Sequence, residues 1–286
     1  MARLREIPFV KGHGTGNDFV IVPDLDGRLE LSPADVAWLC HRRFGIGADG
    51  ILRVVRTARM PGFELDAVQA EYFMDYRNAD GTVAEMCGNG ARVFVRYLDA
   101  VGLITDNTAR IATRAGVLDV SLDSSGEVPM VSVAMGHAMP PRARAMPVVE
   151  VDGASWPATG VIVPNPHAVA FVESLDDAGS LHSAPVVAPA DVFPDGVNVE
   201  FVVSRGPRHV AMRVHERGSG ETMACGTGAC AVAWAARRRD EPDLSGASTW
   251  QVDMPGGTVF VAEAADGGLT LTGPADLVAR GSVLLP

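Results

Sequence analysis

In several stretches of this chain apolar residues alternate with polar ones, at the two-residue period of half-buried strands. Such stretches, or short apolar runs bounded by turns, are FVIV (19–22), ILRVV (51–55), AEYFMDY (70–76), VLDVSL (117–122) and VSVAM (131–135). The second half adds AVAFV (168–172), VNVEFVV (197–203), HVAMRVHE (209–216), TVFVAE (258–263) and LTLTG (269–273). Gly, Pro or Asp separates most of them. Three segments read as helices: 33–42 behind the capping residue Ser32, 90–100, and 227–238. Residues 229–236 are apolar on every side, which predicts a helix buried on every side. Arg237, Arg238 and Arg239 end it, placing positive charge at the negative end of the helix dipole. Residues 91–98 predict a second helix of the same kind.

The second half of the pattern echoes the first. MCGNGAR at 86–92 and ACGTGAC at 224–230 place Cys87 and Cys225 138 positions apart. Asn17-Asp18-Phe19 resembles Asn165-Pro166-His167 at an offset of 148. Asp49-Gly50-Ile51 resembles Asp195-Gly196-Val197 at 146, and Asp75-Tyr76-Arg77-Asn78 resembles His215-Glu216-Arg217-Gly218 at 140. Four similarities in one order predict two similar halves. The expected fold class is α/β (α+β), with two pseudo-symmetric domains. Each is expected to wrap a mostly antiparallel sheet or barrel around a central helix. The expected domains are 1–135, with the tail 275–286 packed on it, and 136–274. The link lies around 136–145, rich in Met, Pro and Arg.

Composition narrows the function. With 286 residues, 47% hydrophobic and 21% charged, the chain can build a full core. Its net charge of −11 disfavours nucleic acid, and 6% aromatics argue against a base-stacking surface. The N-terminus lacks the apolar stretch of a signal peptide. No run of about 18 apolar residues predicts a membrane span. A cytoplasmic protein follows, whose four cysteines are thiols rather than a disulfide framework. No C-x-x-C is present, so structural zinc and thioredoxin chemistry are not expected.

The repeated motif carries the chemistry. A cysteine directly before a helix sits where backbone N–H groups and the dipole stabilise a thiolate. The glycines after it bring N–H groups close to an anion. Two such thiols facing one small space would remove a proton from one side of a carbon and return it on the other. Cys40, in VAWLC, and Cys230, inside the apolar helix, read as core residues. An asparagine at a turn is ordinarily turn chemistry. Asn17, Asn78, Asn89, Asn165 and Asn198 recur in the matching segments, which favours a ligand-facing role. Arg217 is a candidate fork for a carboxylate. Glu216 and His167 are candidates to tune the thiols or hold an ammonium group. His13, in GHGTG, ranks below them. That loop lacks the GxxxxGK[ST] and GxGxxG spacings, which argues against nucleotide binding.

GHGTGNDFV, RRFGIGADG, YRNADGTVAEMCGNGAR, NPHAV, FPDGVNVEF and HERGSGETMACGTGA, in this order, resemble the diaminopimelate epimerases, cofactor-independent two-cysteine enzymes. The resemblance spans nearly the whole chain. It implies two similar halves, an active site in the cleft between them, no cofactor, no metal, and a homodimer. The implied reaction interconverts LL- and meso-diaminopimelate. Cys225 would accept the proton in the LL-to-meso direction and Cys87 would donate one. The resemblance puts Gly88, Asn89, Gly226 and Thr227 on the reacting carboxylate. It puts Asn17, Asn78, Asn165, Asn198, Glu216 and Arg217 on the substrate, and His167 and Glu216 beside the thiols as pKa modulators. Two positions depart from the pattern. Gly50 stands where some members carry glutamine, and Pro164 stands before Asn165 where glycine is usual. A proline or hydroxyproline racemase also needs two opposed thiols, but has no use for a distal amine and carboxylate clamp. Relatives resembling phenazine-pathway isomerases lack the paired cysteines. A non-catalytic redox or metal-binding protein needs no carboxylate cradle.

Overall fold

The computed structural model describes residues 5–143 and 145–285. Residues 1–4, Arg144 of the expected link, and Pro286 lie outside the described residues. In chain order the first elements are β1 (Arg5–Gly14), β2 (Asn17–Pro23), α1 (Pro33–Cys40), β3 (Gly50–Arg56), β4 (Tyr72–Asn78) and α2 (Gly88–Ala100). They continue with β5 (Thr108–Thr113), β6 (Gly116–Asp123), β7 (Met130–His137), β8 (Val148–Val151), β9 (Ala154–Val163), β10 (Asn165–Phe171) and β11 (Val186–Ala188). The remainder are β12 (Asn198–Gly206), β13 (His209–Glu216), β14 (Gly220–Thr222), α3 (Gly226–Asp240), β15 (Ser248–Met254), β16 (Gly257–Glu263), β17 (Gly268–Pro274) and β18 (Asp276–Leu285). The chain forms two compact units: Met1–Val133 with Gly273–Pro286, and Ala134–Thr272.

Both units follow one pairing rule. In the first, β1–β2 is antiparallel, β2–β3 parallel, β3–β4 antiparallel, β4–β5 parallel and β5–β6 antiparallel. In the second, β9–β10, β10–β12, β12–β13, β13–β15 and β15–β16 repeat that alternation. Strand β18 adds to the first unit by pairing antiparallel with β1. The second unit instead adds a small antiparallel set, β8 with β9 and β11. Each unit has one long helix at the same place in the order. Helix α2 packs on β1, β2, β3, β4, β6 and β18; α3 packs on β9, β10, β12, β13, β15 and β16.

The strand registers correct two of the four sequence offsets. Phe19 pairs with Gly50 and His167 with Asn198, so both strands of this pair share the offset 148. Ile51 then faces Arg77 and Val199 faces His215, which makes the next offset 138, equal to that of the cysteines. The offsets 146 and 140 were each two residues out. A slip of two keeps every side chain on its face, so the local patterns still look alike. The length difference has one source. Between β3 and β4 the first unit inserts the short 3₁₀ turns Thr57–Arg59 and Glu64–Val68, whereas β12 turns into β13 through Pro207 and Arg208. By register, Asn198 is therefore the counterpart of Gly50, and Glu216 that of Asn78.

The helices follow their sequences. Ala91, Val93, Phe94 and Leu98 of α2, and Ala229, Cys230, Ala231 and Val232 of α3, are fully buried. At the end of α3, Arg237 differs from a solvent-facing terminal charge. It is buried, with ion pairs to Glu241 at 3.0 Å and Glu263 at 3.3 Å, and it donates to the Leu244 carbonyl. Arg238 and Arg239 lie over the rings of Trp234 and Phe171. Helix α1 starts at a capping box formed by Ser32 and Asp35 and stops at Cys40, two residues short of the expected end, because His41 turns extended.

Candidate active site

Both cysteines cap a helix. Cys87 precedes α2 with an extended backbone, and its Sγ accepts the Gly90 N–H at 3.3 Å. Cys225 precedes α3, and its Sγ accepts the Gly228 N–H at 3.3 Å. A sulfur in this position takes the place of the usual serine or aspartate oxygen and meets the positive end of the dipole. Gly88 and Asn89, and Gly226 and Thr227, form the first helical residues behind each sulfur.

In the first unit, Asn17 begins β2 and reaches the cysteine. Its Oδ1 accepts from Cys87 Sγ at 3.7 Å and from Asn89 Nδ2 at 3.3 Å. Its amide nitrogen donates to Asp49 Oδ2 at 2.8 Å, which fixes which end of the amide faces the sulfur. Asp49 is held in turn by Arg42 at 2.7 Å. Arg42 and Lys11 also hold Asp18. Burial pushes the Asp18 carboxyl up, but those two cations outweigh it and keep the group well below the usual carboxylate range. Asn78 ends β4, facing Gly50 across the ladder, and its side chain donates to Thr82 Oγ1 at 3.0 Å. His13 is half-buried in β1, beside the Gly14–Asn17 turn.

The second unit surrounds its cysteine with charge. Cys225 is 5% exposed. Burial first, and then the carboxylates of Glu216 and Glu200, push its thiol well above the usual range; Thr227 and the Gly228 amide oppose them. Thr227 Oγ1 lies 3.5 Å from the sulfur. Burial also raises Glu216, against hydrogen bonds from Thr222, at 2.5 Å, and from the Cys225 thiol. Asn198 is buried and accepts the Arg217 N–H at 2.8 Å. The Arg217 guanidinium donates to the Asp195 carbonyl at 2.7 Å, leaving other N–H groups for a ligand. His167 Nδ1 meets Glu200 Oε1 at 2.6 Å, and its Nε2 meets Asn165 Oδ1 at 3.0 Å.

These contacts join Asn17, Cys87 and Asn89 in one unit. In the other they join Asn165 to His167, Asn198 to Arg217, and Glu216 to Cys225. Two residues were not singled out from the sequence: Asp49, which orients Asn17, and Glu200. A glutamate inside the apolar run VNVEFVV was the available signal for Glu200. Each unit thus offers a thiol, a ring of first-turn amides and flanking amide side chains. Such a set suits proton transfer at a carbon next to a carboxylate.

The family model described as diaminopimelate epimerase matches residues 9–140 and 160–278. A diaminopimelate epimerase of Streptomyces coelicolor is 57% identical over 278 residues, covering 96% of this chain and 94% of that protein. One of Corynebacterium glutamicum is 46% identical, covering 97% and 98%. Among solved structures, a phenazine biosynthesis protein of the PhzF family from Bacillus anthracis superposes with a TM-score of 0.68 at 18% identity, covering 98% of this chain and 99% of that one. A hydroxyproline epimerase from Agrobacterium vitis, with bound trans-4-hydroxy-L-proline, gives 0.67 at 14% identity, covering 98% and 93%. At these identities the structural likeness is one of fold.

Proposed function

The chain belongs to the diaminopimelate epimerase family, and on that premise we propose how its residues carry the reaction. It is an isomerase that interconverts LL- and meso-2,6-diaminopimelate, on the route to lysine and peptidoglycan precursors. The observation that carries the assignment of residues is the pair of helix-capping sulfurs, Cys87 and Cys225, each bonded by the amide three residues on.

A Cα–H beside a carboxylate is a very weak acid, so its removal requires stabilisation of the carbanion and exclusion of water. In the LL-to-meso direction the Cys225 thiolate takes the α-proton: the C–H bond breaks and an S–H bond forms. The electron pair spreads into the adjacent carboxylate. The Cys87 thiol then gives its proton to the opposite face of the carbon and becomes the thiolate. The return reaction exchanges the roles. First-turn amides of Gly88, Asn89, Gly226 and Thr227 bind the reacting carboxylate, and the helix dipoles favour its growing charge. No pyridoxal phosphate is needed, because the carboxylate bound by these amides serves as the electron sink.

Asn17, Asn78, Asn165, Asn198, Glu216 and Arg217 hold the substrate, chiefly its distal amino-acid end. Glu216 and His167 set the proton affinity of the thiols. The strong upward push on Cys225 makes it a strong base once its proton has left, and Glu216 is the hydrogen-bonded acceptor for that proton. We further propose a cytoplasmic homodimer. Val278 and Leu284, exposed on β18, would suit an interface between copies. Among the described residues no helix is long and apolar enough to cross a membrane.

The test is conversion of LL-diaminopimelate to the meso form by reduced protein free of pyridoxal phosphate, followed by chiral chromatography. Conversion is expected. Its absence from folded, reduced protein would overturn the assignment.

A further inference from the structure

The two units place different residues at matching positions beneath their helix starts. His167 and Glu200 in β10 and β12 correspond by register to Phe19 and Leu52 in β2 and β3. A side-chain carbon added at Gly90 would meet Leu52 at 3.2 Å and Phe19 at 3.5 Å. One added at Gly228 would meet Glu200 Oε1 at 2.8 Å. The same fold thus fills one position with hydrocarbon and the other with an acid and an imidazole. The architecture does not require a polar pair there. A buried ion pair is also a poor way to stabilise a core compared with apolar packing. Its presence under Cys225 calls for a functional account.

His167 and Glu200 are both completely buried. Their contact of 2.6 Å is short, as expected of a charge-assisted bond. The other ring nitrogen faces the Asn165 oxygen at 3.0 Å. With an oxygen facing each nitrogen, the ring has an acceptor for two N–H groups, the arrangement an imidazolium satisfies. Glu200 Oε2 has no hydrogen-bond partner among the described residues. The carboxylate instead lies against the first turn of α3, where the dipole favours an anion. The charged groups beside the ring are Glu200 from β12 and Glu216 from β13.

We propose that Glu200 is a positioning residue for the reaction. It holds His167 as a doubly donating imidazolium, which locks the Asn165 amide with its oxygen on the ring and its NH2 group free for the substrate. In the first unit Asp49 does the opposite to the matching Asn17: it takes the NH2 group and leaves the oxygen facing Cys87. One asparagine is therefore set as a donor and its counterpart as an acceptor. Asn165 thereby offers an N–H to a carboxylate oxygen, whereas Asn17 keeps its oxygen on Cys87 and Asn89.

This inference rests on the epimerase reading, and an NMR readout separates the two. The experiment measures the 15N shifts of the His167 ring in substrate-free protein, and steady-state kinetics, for wild type, Glu200→Gln and the double variant His167→Phe/Glu200→Leu. Both ring nitrogens of the wild type should give imidazolium shifts at pH 7.5. Glu200→Gln should convert the ring to a neutral tautomer and raise KM for diaminopimelate at least 10-fold. The double variant carries the residues of the first unit. It should match or exceed wild type in Tm, yet show the same rise in KM. A neutral His167 in the wild type would overturn the proposal. So would a folded double variant with wild-type KM. Loss of epimerase activity in the wild type would overturn the functional reading and leave the NMR result standing.

Discussion

The Gly228 amide donates to Cys225 Sγ at 3.3 Å, across the first turn of α3. The Gly90 amide does the same for Cys87 at the start of α2. Each sulfur is therefore both a helix cap and a reacting atom. Replacing either by alanine removes a cap worth about 1 kcal/mol and a whole acid–base group. Cys87→Ala and Cys225→Ala should each fold and each lose epimerisation by at least about 10²–10⁴-fold. Circular dichroism and turnover measured together check this; a folded variant with substantial turnover would refute a two-base mechanism.

Thiol accessibility separates the four cysteines. Cys87 is partly exposed, while Cys40, Cys225 and Cys230 are buried. Burial pushes the Cys40 thiol up to about 12. Iodoacetamide at pH 8 should therefore modify Cys87 first and leave Cys40 and Cys230 unmodified until the protein unfolds. Peptide mass spectrometry over time reads the order. Equal labelling of Cys40 and Cys87 would contradict it.

The two motif glycines should tolerate alanine unequally. At Gly90 the new methyl meets the end of the Leu52 side chain at 3.2 Å. At Gly228 it meets Glu200 Oε1 at 2.8 Å and Cys225 Sγ at 3.2 Å. Gly228→Ala must displace a buried carboxylate held by His167, and should destabilise by about 1–3 kcal/mol with a large loss of turnover. Gly90→Ala should cost less on both counts. Urea unfolding and kinetics of the two variants decide the comparison.

Asp75 supplies an acid-stability prediction. It is fully buried among Arg53, Arg77 and Arg114, with Arg114 at 2.6 Å. Burial pushes its carboxyl up, but the three guanidinium groups outweigh this and leave it below the usual value. A depressed carboxylate contributes stability above its unfolded pKa of about 3.9, and that contribution is lost as pH falls through the lower folded value. Asp75→Asn removes the carboxylate shared by the partly buried Arg77 and Arg114, while Arg53 keeps Asp24. The variant should lose stability at pH 7, by less than the cost of about 3–5 kcal/mol for a fully buried pair broken on one side. The gap between wild type and variant should narrow below about pH 3.9. Urea midpoints across pH 2–7 measure it.

The elements that carry the chemistry were the most legible in the sequence. Both helices behind Cys87 and Cys225 follow from apolar runs opened by Gly-polar-Gly, and they occur at Gly88–Ala100 and Gly226–Asp240. Strands with a clean apolar run, such as β3 and β12, were equally plain. Strands β1, β5, β8, β9, β11, β14, β15 and β18 were not. In β18, DLVARGSVLL, most residues are exposed and the alternation that would mark it is missing. Its ladder with β1 depends on a partner more than 260 residues away, which no local pattern encodes. The likeness of the halves was visible, but Asp49-Gly50 and Asp195-Gly196 are turn letters that match two residues out of register with the strands. Glu200 was overlooked for a related reason. It reads as a polar interruption in a strand until its partner, 33 positions earlier, is known to be His167.

The most direct test of the central claim is the fate of the α-hydrogen in D2O. LL-diaminopimelate incubated with reduced enzyme for a small fraction of one turnover of the pool is separated into LL and meso forms, and each is analysed by mass spectrometry. Two thiols that act as separate bases predict one deuterium at Cα of the meso product and almost none in the remaining LL substrate. Equal early deuteration of the LL substrate and the meso product would mean that a single base serves both faces, contradicting separate roles for Cys87 and Cys225.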